Sequence, residues 1–437
     1  MEWYWALILM LGGFVGLLLV GLPVAFSFLT VNIIGAWIFL GGHAGEMQMV
    51  RNAAVAVTTF VLIPIPLFIL MGEVLFQSGV AINAIDAIDK LISKVPGRLS
   101  IIAIVGGTIF AALSGSSAAN TALLGSTLMP EMRKRGYSRT MAMGPILGAG
   151  GLAVLIPPSG LAVLLASLGE ISVSGLLIAG IVPGVMMATM YFIYVISVGY
   201  ARPDLAPAYD IEEVPWHQRL WPFFVYVVPL FSLFVIVVGS ILAGIASPTE
   251  SAALGALGSV VIAICYRSLT WANLKKALIE SAKTTVLILF IGSASITFSQ
   301  ILLFSGATQG LLDIVKGLDL SPSMLVVSML IVLLFLGCFM DPVSMMLITL
   351  PFYMPLAKAS GIDLVWFALL MLIMLEVSFT TPPFGLILFV MKAIAPPDIT
   401  LKDVFMSAVP FVLMAFATVA IIFFFPPVAM WLPGLLD

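Results

Sequence analysis

Between Leu99 and Met129 the chain runs 31 residues without one charged side chain. That length is too great for one membrane span of about 20 residues and too small for two. At its middle stands Ser114-Gly-Ser-Ser117, small residues that form helix poorly and bond readily to nearby backbone. A helical hairpin that enters an apolar medium about halfway, turns at the serines and returns accounts for both facts. Non-helical backbone at that depth survives only inside protein or beside water, so the tip is a candidate binding site.

The rest of the chain places this hairpin in a bilayer. Of 437 residues, 62% are hydrophobic and 9% charged, against about 25% charged in soluble domains. Apolar runs recur along nearly the full length, the pattern of an all-α polytopic membrane protein. The first, Trp3–Leu22, lacks a basic leader and a small-residue cleavage motif and is expected to stay as a span. Cys265 and Cys338 lie in apolar runs without a disulfide or metal pattern. His43 and His217 stand singly in polar connections.

In chain order, a second segment (Pro23–Leu40) is followed by a loop with His43, Glu46 and Arg51, then by Ala53–Phe76, interrupted at Pro64 and Pro66. Ala81–Lys94 places Ile85, Ile88 and Ile92 on one helical face and Asp86, Asp89 and Lys90 on the other, which suits the membrane interface. After the hairpin (about 99–130) comes a long segment, about 140–168, broken at Leu155-Ile-Pro-Pro-Ser-Gly160. The two prolines remove amide donors and push Ile156 out of α geometry. Val173–Val198 follows, and the longest polar connection, 200–220, divides the chain.

The second half runs through the same programme. Spans are expected at Trp221–Leu242, after Pro248 and at Thr284–Phe304, with Arg267, Lys275, Lys276 and Lys283 in a connection and Leu311–Lys316 as a short stretch. A second over-long run, about 324–356, has Gly337-Cys-Phe-Met-Asp-Pro342 at its centre. A segment at about 363–394 is broken at Thr380-Thr-Pro-Pro-Phe-Gly385, and a last span reaches Trp431. Pro130 and Pro355, Gly136 and Gly361, Pro157-Pro158 and Pro382-Pro383, Gly160 and Gly385, and Pro23 and Pro248 all stand 225 residues apart. This marks an internal repeat of units 1–199 and 221–437. Lys90, Lys94, Arg98, Arg133, Lys134, Arg135 and Arg139 surround the first hairpin's base, whereas Lys316 and Lys358 alone flank the second. The positive-inside bias puts the first base in the cytoplasm and the second outside, so the repeats are inverted and both termini lie outside.

Inverted repeats with interrupted helices mark secondary transporters: half-helix ends inside the membrane offer carbonyls to a cation and amides to an anion. The first tip (Ser114–Asn120) is expected to face the first break (Ile156–Gly160), and the second tip (Gly337–Pro342) the second (Thr380–Gly385). Both sites are rich in oxygen and poor in charge, which suits Na+. The first Na+ candidates are Ser114, Gly115, Ser116, Ser117, Ile156, Pro157 and Ser159; the second are Gly337, Asp341, Thr380, Thr381 and Pro382. Ser116, Asn120, Ser159 and Thr381 are substrate candidates.

Structural roles compete with each assignment. The serines could pack helices, Thr380 and Thr381 could bond back to the preceding turn, and Asp341 could cap a half-helix ahead of Pro342. Glu250 reads as first-turn stabilisation rather than as a proton carrier, and Glu73 and Glu376 as buried structural acids ahead of interface residues or substrate-path groups. Arg133-Lys-Arg135 reads as an orientation signal with headgroup contacts. The chain has no Walker A, dinucleotide-binding or zinc-hydrolase motif and no His/Asp or Cys/His constellation in its apolar segments, so an enzyme is not expected.

At Ser-Gly-Ser-Ser117 with Pro130 and Gly136-Tyr137, Ile-Pro-Pro-Ser159, Ala179-Gly-Ile-Val-Pro-Gly184, Pro248-Thr-Glu250 and Thr-Pro-Pro-Phe-Gly385 with Leu388-Phe389, the sequence resembles the large membrane subunit of the TRAP (tripartite ATP-independent periplasmic) transporters. The resemblance implies Na+-driven uptake of a small organic anion, such as a C4-dicarboxylate, a sialic or other sugar acid, or a sulfonate. It implies an elevator motion of a transport unit, 99–168 with 324–394, against a scaffold of the other spans. Its implied partners are a separate small four-helix membrane subunit and a periplasmic substrate-binding protein in a bacterial inner membrane. Na+ would be the coupling ion, with no other cofactor and no nucleic acid. A stand-alone Na+/dicarboxylate symporter of similar architecture and a passive anion channel are the rival readings.

Overall fold

The computed structural model describes residues 2–92, 95–208, 215–383 and 385–435, apart from the side chains of His217 and Gln218. Lys94, Phe384 of the second break and the His217 side chain fall outside the described residues. The first half comprises α1 (Trp3–Leu19), α2 (Val24–Phe39), α3 (His43–Thr58), α4 (Pro64–Gln77), α5 (Val80–Leu91), α6 (Arg98–Ser114), α7 (Ser117–Lys134), α8 (Arg139–Gly151), α9 (Gly160–Leu168) and α10 (Val173–Ala201). The second comprises α11 (Arg219–Leu242), α12 (Pro248–Cys265), α13 (Trp271–Phe304), α14 (Ala307–Gly317), α15 (Pro322–Gly337), α16 (Pro342–Ala359), α17 (Leu364–Thr380), α18 (Leu386–Ile394) and α19 (Leu401–Phe424). Among the described residues six helices are long and apolar enough to cross a membrane.

Helix boundaries recur at the spacing seen in the prolines and glycines. Ser117–Lys134 and Pro342–Ala359 match end for end at 225 residues, and both Pro157-Pro158 and Pro382-Pro383 carry a cis peptide bond. Three expectations are corrected. The stretch with His43, Glu46 and Arg51 is not a loop but the start of α3, and the expected single segment Ala53–Phe76 is divided between α3 and α4. Gly42, at φ +67°, turns the chain from α2 into α3. Pro64 starts α4 at its first position, where a missing amide costs nothing. The second-half counterpart, α13, has no proline and runs 34 residues unbroken, so Lys275, Lys276 and Lys283 lie on a helix.

Polar side chains tie the helices where apolar contact alone would leave register free. Asn120, wholly buried, donates to the Gly107 carbonyl of α6 (3.0 Å) and the Ala149 carbonyl of α8 (2.9 Å). It thereby closes the first hairpin and fixes it to the first broken helix. In the second hairpin the Tyr353 hydroxyl of α16 donates to the Met329 carbonyl of α15 at 2.8 Å. Asn52 of α3 donates to Thr297 (3.1 Å) and Gln300 (2.8 Å) of α13 and accepts from Gln48. Arg98, 5% exposed, pairs with Asp89 at 3.1 Å and donates to the Ile92 and Asp89 carbonyls, locking α5 onto the foot of α6.

Two ion pairs join the foot of the first hairpin and of α8 to the approach to α19: Arg133–Asp398 at 2.7 Å and Arg139–Asp403 at 2.9 Å. Arg133 holds the Asp398 carboxyl below its ordinary range; the Thr400 cap, then Arg139, do so for Asp403. A lowered carboxyl contributes above its unfolded value of about 3.9 and loses that contribution as pH falls through the folded value. The melting-temperature difference between wild type and Asp403→Asn is therefore expected to close as pH drops below about 4. Asn120→Ala is expected to cost about 1–3 kcal/mol, because two buried interhelical hydrogen bonds are lost; melting in detergent measures it.

Candidate cation and substrate site

The first tip is a two-residue turn. Gly115 ends α6 in the left-handed region at φ +57°, where a side chain is disfavoured. Ser116 caps α7: its hydroxyl accepts from the Ala119 amide (3.3 Å), and its own amide donates to the Ser114 hydroxyl (3.4 Å). Across from it, α8 ends at Gly151, continues as a 3-10 turn (Leu152–Val154) and restarts at Ser159, whose hydroxyl accepts from the Ala162 amide at 3.2 Å. Tip and break touch. A methyl group on Gly115 would lie 3.1 Å from the Pro158 carbonyl oxygen and 3.9 Å from the Gly160 nitrogen.

The geometry thus brings Ser114, Gly115, Ser116 and Ser117 up to Pro157–Ser159. Ser114, Ser117 and Ser159 are buried. The Ile156 side chain packs against Gly184 of α10, so only its backbone is offered to the break. Gly72 of α4 rests directly on the Ser114 backbone and backs the tip from the far side. Two half-helix N-termini, α7 and α9, converge here with a serine on each. A capping hydroxyl spends one lone pair on the helix and keeps another for a cation, while free first-turn amides suit an anion.

The second tip is longer. α15 ends at Gly337, and α16 begins after Asp341, whose carboxylate accepts from the Ser344 amide at 3.0 Å and from the Ser344 hydroxyl. The capping role of Asp341 is therefore the one in place, with Pro342 at the first helical position. A methyl on Gly337 would lie 2.7 Å from the Ser378 Cβ, so this tip meets the last turn of α17. The Thr380 and Thr381 hydroxyls both donate to the Val377 carbonyl, at 3.0 and 2.7 Å. That back-bonding leaves the lone pairs of both oxygens available. Beyond Pro382, the Gly385 amide returns to the Thr381 carbonyl at 3.1 Å.

Asn120 lies one turn behind the Ser116 cap, and its Oδ1 has no hydrogen-bond partner. Both of its amide hydrogens are spent on Gly107 and Ala149, and it is walled in by helices. An asparagine in an apolar helix needs a backbone acceptor, and Gly107, packed against Ala149, is the close approach that supplies one. Two contacts had no signal in the sequence: Ser378 beneath the second tip, and the Glu376 carboxyl pressed on Gly151, which sets the two breaks side by side. Among the described residues no three His, Cys, Asp or Glu side chains gather as a metal cluster. Gly115→Ala is expected to cost about 1–2 kcal/mol from the left-handed backbone and to lift the tip off Pro158. Gly136→Ala, at φ +78° with open space around it, carries the backbone cost alone. Thermal melting separates them, with Gly115→Ala the larger loss.

Residues 11–428 match the family described as tripartite ATP-independent periplasmic transporter, DctM component. The C4-dicarboxylate TRAP transporter large permease protein DctM of Pseudomonas aeruginosa is 34% identical over 384 residues, 86% of each chain. The 2,3-diketo-L-gulonate TRAP transporter large permease protein YiaN of Escherichia coli is 29% identical over 426 residues, covering 96% of this chain and 97% of that one. Among solved structures, Neisseria gonorrhoeae MtrF aligns with a TM-score of 0.63 at 15% identity, over 92% of this chain and 94% of its own. The YdaH transporter of Alcanivorax borkumensis aligns at 0.59 and 12% identity, over 91% and 96%. These two share the fold. The chain belongs to the DctM component family of the tripartite ATP-independent periplasmic transporters: it is a large permease, a membrane transport protein and not an enzyme.

Proposed function

We propose that this permease couples inward Na+ movement to uptake of a small organic anion carrying a carboxylate. A periplasmic binding protein delivers the anion, and a separate small membrane subunit extends the scaffold. The observation that carries this reading is the seat of Gly115 on Pro158 and Gly160, where two capped half-helices meet inside an apolar protein. Na+ is coordinated in the first site by the Ser116 and Ser159 hydroxyls with backbone carbonyls of the tip. In the second it is coordinated by Thr381 and the backbone of Gly337 and Pro382, with the Asp341 carboxylate nearby in the turn.

Each ion draws its tip onto the facing break. The anion then sits against the amide ends of α7 and α9, and ion and anion complete each other's site, which is the origin of coupling. The loaded unit, 99–168 with 324–394, shifts against the scaffold as an elevator. The 225-residue spacing of helix ends and the clustering of Arg133, Lys134, Arg135 and Arg139 at one hairpin foot support inverted repeats with both termini periplasmic. C4-dicarboxylate and 2,3-diketo-L-gulonate, named for the relatives, both present a carboxylate, which supports the substrate class.

The test is uptake of a C4-dicarboxylate into proteoliposomes containing the permease, its small subunit and its binding protein. Ser116→Ala and Thr381→Ala are each expected to raise the Na+ concentration for half-maximal uptake about tenfold, a loss of about 1.4 kcal/mol. Unchanged Na+ activation in both variants contradicts the sites. Uptake without the binding protein favours the stand-alone symporter, and flux indifferent to the Na+ gradient favours a channel.

A further inference from the structure

Glu376 is the most deeply buried acid among the described residues, 2% exposed. It lies on α17 one turn before Thr380, and its carboxyl is pressed onto Gly151, where α8 gives way to the first break. A methyl on Gly151 would stand 2.9 Å from the Glu376 Cδ. One carboxyl oxygen, Oε2, has no hydrogen-bond partner. Tyr191 of α10, fully buried and within electrostatic reach of Glu376, also has a hydroxyl without a partner.

Among the described residues no cation answers this acid. Of the ionisable groups on the helices packed around α17, Tyr353 donates to the Met329 carbonyl and Lys392 to the Ile399 carbonyl, while Arg139 and Asp403 pair with each other. Tyr194 stacks edge-on against Phe411, and Lys358, Lys402 and Tyr200 are exposed in the end turns of their helices. That leaves Tyr191. An ionised carboxylate with a bare oxygen in such surroundings is far more costly than the neutral acid.

We propose that Glu376 is a proton-binding site at the junction of the two helix breaks. Its carboxyl is neutral in this arrangement, with the proton on an oxygen. The proton leaves for water when motion of the surrounding helices wets the junction, and the carboxylate stays behind. Because Gly151 opens one break and Thr380 closes the helix before the other, the state of this one carboxyl bears on the packing of both. The site stands apart from the Na+ reading, since its test contains no Na+ dependence.

The experiment is infrared spectroscopy of the purified full chain in lipid nanodiscs, wild type minus Glu376→Gln, at neutral pH. The expected result is a C=O stretch of a protonated carboxylic acid that moves to lower frequency in D2O and disappears reversibly in alkaline buffer. Glu376→Asp should displace that band rather than abolish it, which keeps the test open if the glutamine variant fails to fold. Absence of the band in the wild type overturns the proposal. So does a band that ignores both D2O and alkali, the mark of a sealed structural acid.

Discussion

An apolar medium leaves no backbone amide or carbonyl without a protein partner, and this constraint shapes the centre of the molecule. Four helix ends stop short inside the fold, at Ser114, Gly151, Gly337 and Thr380. Their successors restart behind Ser116, Ser159 and Asp341, each accepting from the amide three residues on, and behind Gly385, whose amide turns back to Thr381. The first tip closes on the first break with only glycine between them, because any side chain at Gly115 would press on the Pro158 carbonyl. The restarting amide ends are thus met by caps or a turn, and the first break is buried throughout residues 152–160, while Pro382 and Pro383 of the second stand exposed.

The two broken helices are the hub. From Met141 to Gly151 in α8, and from Phe367 to Thr380 in α17, every residue is buried. Such helices are apolar all round rather than amphipathic, as burial on all sides requires. Glycines let neighbours in: Gly144 and Gly148 take the Phe411 ring of α19, Gly150 takes Thr121 of the first hairpin, and Gly151 takes Glu376. The outer helices carry the opposite signature, with Trp37, Trp221, Phe231, Phe290 and Phe335 turned outward as a lipid-facing surface would have them.

Much of this was readable from residue order. Paired prolines cannot sit inside a helix, so Pro157-Pro158 and Pro382-Pro383 mark the breaks, and a serine cluster midway along a 31-residue apolar run marks a turn. The helical state of His43–Arg51 was hidden because its polarity reads as a loop, whereas packing on α13 through Asn52 decides it. Asn120 reads as a ligand group because a buried polar side chain invites one; its amide donates to the Gly107 and Ala149 carbonyls, which lie on other helices and leave no local trace, while its Oδ1 has no partner. Thr380, Thr381 and Asp341 carried both a structural and a chemical reading. Hydrogen-bond geometry shows the structural half already in place.

Opposed orientation of the two hairpins underlies the proposed transport cycle, and side-specific labelling tests it most directly. Lys134 and Ala359 end the return arms of the two hairpins at equivalent positions, and both are exposed. Single cysteines at these sites, with Cys265 and Cys338 replaced, would be treated with an impermeant maleimide in intact and permeabilised spheroplasts. Inverted hairpins predict that Ala359→Cys labels in intact spheroplasts and Lys134→Cys only after permeabilisation. Labelling of both from the same side would contradict the inverted arrangement.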